Sequence, residues 1–315
     1  MREEQTRQGK QASSPTKFGG RDWMAVLRRV AGDVGRHHLS VLSAGVAFFA
    51  MLALFPSIAA LIGIYGLVAN PADVSAHLGQ IEPLLPEDAY GIIAGQVETV
   101  ASAASTSLGL ASALGILFAL WSTRAAVAAM MDGLNVVYAE EEDRSFVRFT
   151  AVSLGLTVLI ILLAIAAIAT IVAVPAVLQM IDLGPLAAWV ARIAPWLVLG
   201  FVVVLAIGII YRYGPARAPA RKRWVSLGAV VAALLWLAAS LLFSFYVANF
   251  ADYNKTYGSL GAMVCLLLWF FISAFVVLLG AELNAELELQ TTRDTTVGPP
   301  KPIGERGAYV ADHVA

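Results

Sequence analysis

The chain contains one cysteine, Cys265, and four histidines, His37, His38, His77 and His313, among 315 residues. One thiol cannot build a disulfide framework, and no cysteine cluster can hold a metal. Charge is scarce too: 14% of residues are Asp, Glu, Lys or Arg, against about 25% in soluble domains. A formal net charge of −1 argues against nucleic acid as a bulk electrostatic partner, because such binding neutralises many phosphates at once. Paired-histidine metalloprotease motifs, nucleophile elbows and phosphate-cradling glycine loops are also missing. The inventory implies no catalytic constellation, no metal and no cofactor.

What the chain has is apolar surface. The apolar fraction is 59%, above the about 45–50% of soluble proteins, so the excess is expected to face lipid. Ser259 to Gly280 runs without a charge and, at about 1.5 Å per helical residue, reaches roughly 33 Å, enough to cross a bilayer core. Six such runs are predicted as spans, at about 39–68, 108–131, 149–181, 186–211, 224–251 and 259–280. The expected fold is all-α: a polytopic bundle of six transmembrane helices. In front of it, Trp23, Val26, Leu27, Val30 and Val34 recur at helical spacing and predict an amphipathic helix at the membrane interface. Residues 1–20 are polar and expected to be disordered, residues 21–290 form the membrane domain, and residues 291–315, with Gly298, Pro299, Pro300 and Pro302, are expected to be a flexible tail. The first apolar run is too long for a cleavable signal peptide and is expected to be retained.

Orientation follows from the basic residues. Eighteen Lys and Arg fall in the amino-terminal segment, the second-to-third and fourth-to-fifth connections and the tail, against Arg192 and Lys255 on the other side. The positive-inside rule then puts both termini in the cytoplasm. The run Arg212, Arg217, Arg221, Lys222 and Arg223 is explained by orientation and by attraction to anionic lipid.

Arg124 is the only charge well inside an apolar run. A charge at that depth normally faces protein or water, so it either snorkels to the inner interface or lines a cavity, facing an anion or an acid. Glu282 and Glu286 stand four residues apart, on one helical face past the last run. Their bland reading is a solvated helix end. Their sharper reading is a partnership, in which Arg124 pairs with Glu282. Asn249, Asp252, Tyr253, Asn254, Tyr257 and Gly258 gather on the outer hairpin before the last run. There they either cap helix ends or gate a ligand.

Three stretches together resemble a family of bacterial inner-membrane proteins, YihY/virulence factor BrkB, formerly labelled ribonuclease BN. They are Ser43 to Ala50 with Leu54-Phe55-Pro56; Leu134-Asn135-Val136-Val137-Tyr138 with the acidic residues after it; and Tyr211 to Ala229, continued by Tyr253 to Gly261 and Gly280 to Glu286. Asn135, from the second stretch, joins Arg124, Glu282 and Glu286 as a candidate cavity or ion-pair residue. The resemblance implies location in the inner membrane and a link to envelope integrity. With no catalytic constellation, ribonuclease activity is not expected. The leading expectation is transport or presentation of an amphiphilic or anionic solute, lipid included. A non-transporting scaffold for envelope proteins is the alternative, and an enzyme acting on membrane substrates comes third. Membrane lipids are the expected partners; nucleic acid is not.

Overall fold

The computed structural model describes residues 12–66, 110–179, 185–250 and 259–315. Among these residues regular structure is helical, apart from one isolated antiparallel bridge between Ala220 and Thr296. Helix α1 (Gly20–Arg36) opens with the Gly19 N–H donating to the Asp22 carboxylate at 3.0 Å, which places an acid at the positive end of the helix dipole. Six long helices follow: α2 (Leu39–Gly66), α3 (Leu110–Val137), α4 (Phe146–Gln179), α5 (Pro185–Tyr213), α6 (Lys222–Phe250) and α7 (Ser259–Leu289). A short α8 (Tyr309–Asp312) lies in the carboxy-terminal segment.

Each long helix coincides with one of the apolar runs because those runs carry no breaker strong enough to end them. Pro56 sits inside α2, which continues through it. Three stretches among the described residues are long and apolar enough to cross a membrane, Phe146–Ala167, Lys222–Val247 and Met263–Leu289; α1 with Leu39–Leu54, bent by 62°, makes a fourth if taken as one broken span. The bend falls at His37 and His38, where His38 adopts the left-handed backbone, φ 50°. Leu197, Phe201, Leu241, Leu242 and Phe245 all lie exposed on helix surfaces. Large apolar side chains in that number suit lipid and not water. The molecule is a multi-pass helical membrane protein.

Contacts divide the chain into two units. One comprises Met1–Ser43, Met130–Ala238 and Phe275–Ala315, the other Ala44–Ala129 and Ala239–Ala274. In the first, α4 packs on α5, and an apolar cluster of Phe18, Val26, Val30, Trp224, Leu283 and Leu287 fixes α1 against the start of α6 and the end of α7. In the second, Phe48 packs edge-on to Phe49, and Trp269 lies tilted against Phe270.

Two expectations about the ends are corrected. The stretch expected to be disordered through residue 20 already buries Ala12 and Phe18. The tail expected to be flexible is folded: Arg306 is buried and donates to the carbonyls of Ala311 at 2.6 Å and Thr292 at 2.8 Å. Asp294 accepts from the backbone N–H of Lys301 and Thr296 at 2.9 Å each. Proline and glycine there shape turns whose backbone groups are met by side chains.

Candidate functional site

The last apolar run is expected to end at Gly280, yet α7 continues to Leu289 and carries the whole Glu282–Glu288 stretch as helix. At 100° per residue, Glu282 and Glu286 share one face while Asn284 and Glu288 share another, roughly opposite. All four are buried. The solvated-helix-end reading is therefore wrong for this segment, because neighbouring elements cover it.

On the first face stands α1. His37 Nδ1 lies 2.9 Å from Glu282 Oε2, so the acid expected to pair with Arg124 has an imidazole as its partner. Arg29 forms an ion pair with Glu286 and also donates to Gln290 Oε1 at 2.9 Å. Gln290 in turn donates to Asp22 at 3.0 Å. Arg36 pairs with Asp33 one helical turn before it, and Asp33 is itself buried. One carboxylate oxygen from each of Asp33, Glu282 and Glu286 lies within 4.8 Å of the other two. The sequence reading found no metal-ligand constellation; folding assembles this one from residues about 250 positions apart. The hydrogen bond that the Glu282 carboxylate accepts raises the His37 pKa above its ordinary value, against partial burial and Arg36, which act to lower it.

On the second face the fit is backbone-tight. Gly228 of α6 and Gly280 of α7 cross with no side chain between them: a Cβ on Gly228 would lie 2.2 Å from the Gly280 carbonyl oxygen. Asn284 seals the crossing, accepting from the Gly228 N–H at 2.8 Å and donating to the Val225 carbonyl at 3.1 Å. Glu288 pairs with Arg217 at 2.8 Å, both side chains buried (0% and 2% exposed). Thr295 from the carboxy-terminal segment donates to the same carboxylate at 2.6 Å. The Arg217 guanidinium also lies 4.9 Å from the centre of the Tyr138 ring. A residue counted only as an orientation charge is thus an internal tie.

Asn135 is a clamp within this unit. Its side chain donates to Glu142 at 2.9 Å and accepts from the Ala216 N–H at 2.8 Å, joining the end of α3 to the α5–α6 loop. Ala139, left-handed at φ 53°, ends that helix. Arg124 belongs to the other unit, where its guanidinium lies 4.6 Å from the centre of the Trp121 ring. Asp252, Tyr253, Asn254, Tyr257 and Gly258 of the outer hairpin lie outside the described residues, as does the side chain of Asn249.

Asp33, His37, Arg29, Arg217 and Glu288 escaped the sequence reading as site residues. Only Glu288 carried a signal, standing four residues from the Asn284 that faces α6. The profile of a family described as virulence factor BrkB matches residues 30–303. The putative ribonuclease-like protein YfkH of Bacillus subtilis is 31% identical over 270 residues, covering 84% of this chain and 95% of that protein. The UPF0761 membrane protein IL2447 of Idiomarina loihiensis is 34% identical over 80 residues, 25% of this chain and 28% of that one. No solved structure matches.

Proposed function

The chain belongs to the virulence factor BrkB family, and from that premise we propose that it is a six-span bacterial inner-membrane protein which moves or presents an amphiphilic or anionic solute. The observation that carries this reading is Arg124. It sits in the apolar helix α3 between Leu120 and Val127, partly buried, with Trp121 beside its guanidinium. A charge in that setting costs at least about 2.5–3.5 kcal/mol by insertion scales and so faces protein, water or a polar solute, and a guanidinium suits bidentate recognition of a carboxylate or a headgroup phosphate. Purified protein in vesicles should accelerate transfer of a fluorescent short-chain phosphatidylglycerol analogue between leaflets, and Arg124→Met should abolish the gain while Arg124→Lys retains part of it. Wild-type vesicles that behave like empty ones would favour the scaffold reading.

Both termini are cytoplasmic in this proposal, on the strength of the eighteen-to-two distribution of basic residues. Alkaline phosphatase fused after Asp88 should be active, and fused after Glu288 inactive; the reverse pattern overturns the orientation. The proposal includes no ribonuclease activity, although the Bacillus relative is named ribonuclease-like. Asp33, Glu282 and Glu286 are buried, which leaves a polynucleotide phosphate no direct access to the one carboxylate group of metal-binding type among the described residues. Cleavage of RNA by nuclease-free protein, lost on substituting any of the three, would refute this.

A further inference from the structure

We propose that Asp33, Glu282 and Glu286 form a binding site for a divalent cation that prefers hard oxygen ligands, such as Ca2+ or Mn2+, and that the ion staples α1 to α7. Three observations support the site. Its three carboxylates are 2%, 1% and 3% exposed, so water screens them poorly. One oxygen from each lies within 4.8 Å of the others. Three oxygens that close lie on a circle of radius no more than about 2.8 Å, so small side-chain adjustments bring all three to the about 2.3–2.6 Å of Ca2+ coordination.

The third observation is an unmet acceptor. Glu282 Oε2 faces His37, but Oε1 is buried and has no hydrogen-bond partner. A buried carboxylate oxygen with no donor favours a ligand that supplies positive charge there. The two guanidiniums in the cluster serve its other two acids: Arg29 holds Glu286 and also Gln290, and Arg36, largely exposed, holds Asp33. Neither serves Glu282. Carboxylate-only donors select calcium, manganese or magnesium over zinc and copper, which favour nitrogen and sulfur. Waters would complete the coordination shell.

This inference is independent of the transport reading, because it concerns binding to the purified full-length chain. Titration with Mn2+, followed by loss of the free-ion electron paramagnetic resonance signal, should show a single site per chain that Ca2+ competes for. Glu282→Gln should weaken it by about tenfold or more, as should Asp33→Asn; Thr295→Val, which removes a hydroxyl from the opposite face of α7, should leave it unchanged. If Glu282→Gln does not fold, the wild-type stoichiometry and Asp33→Asn decide. Wild-type protein that binds no Mn2+, or binds it equally well after both acid substitutions, overturns the proposal and leaves Oε1 to a water molecule.

Discussion

The two polar faces at the end of α7 differ in how completely their charges are matched. Toward α6 and the α5–α6 loop, Glu288 has Arg217 and Thr295, and Asn284 uses both its donor and its acceptor on α6. Toward α1, three carboxylates share two guanidiniums and one imidazole, and an oxygen of Glu282 is left over. The acids are buried on both faces, but the cations differ: Arg217 is 2% exposed, whereas Arg29 and His37 are 26% and Arg36 71% exposed. A closed network rigidifies, while one with a spare acceptor is set to bind something. The α6 face is a fastener, and the α1 face is where chemistry is to be sought.

The hardest way to break the contrast is to open the closed face. Glu288→Gln leaves the Arg217 guanidinium buried without an anion, and should cost about 3–5 kcal/mol in thermal or denaturant unfolding of detergent-solubilised protein. An effect under about 1 kcal/mol, the range of exposed pairs, would mean water reaches Arg217.

Next in size is the crossing itself. Gly228→Ala forces a Cβ into the Gly280 carbonyl and should cost about 1–3 kcal/mol. Gly45→Ala in α2, where an added Cβ meets nothing within 4 Å among the described residues, should be neutral or gain up to about 1 kcal/mol from helix propensity. Equal effects of the two substitutions would deny the close approach.

The smallest expected effect separates the tail from the crossing. Burial acts to raise the Asp294 pKa, but hydrogen bonds from Lys301 and Thr296 outweigh it and leave the carboxyl below its ordinary value. A lowered folded-state pKa contributes stability above the ordinary range, about 3.9, and that stability is lost as pH falls through the lowered value. Protection factors at Thr296 and Lys301, relative to intrinsic exchange at the same pH, should therefore fall at pH values below that range, while those of amides around Gly228, held by groups that do not titrate, stay high. Uniform loss of protection would show that tail and crossing unfold together.

The helices were legible because each is an uninterrupted apolar run, and runs such as Ser259 to Gly280 state their length and class directly. The motif glycines and Asn284 were legible as residues, though not as a crossing, since Gly228 and Gly280 meet only when α6 and α7 pack. Arg217 was hidden by its neighbours: five basic residues in a loop look alike until one is drawn inward by Glu288. The tail misled because its order comes from Arg306 and Asp294 binding backbone groups, a device that leaves no apolar signature. Asp33 and Glu282, separated by most of the chain, could not be joined by any spacing rule. Glu282 and Glu286 were found as a pair, but their partners on α1 were not.

Backbone-to-backbone contact at Gly228 and Gly280 also has a kinematic consequence. Side chains at a helix interface can change rotamer and let two helices slip, whereas two carbonyls and an interlocked Asn284 leave no such play. Around that point α6 and α7 must travel as one lever. Any change of shape in this unit then has to fall elsewhere, and the junction of α1 with α2, bent by 62° through the left-handed His38, is a natural joint for it. The joint and the lever meet where His37 touches Glu282.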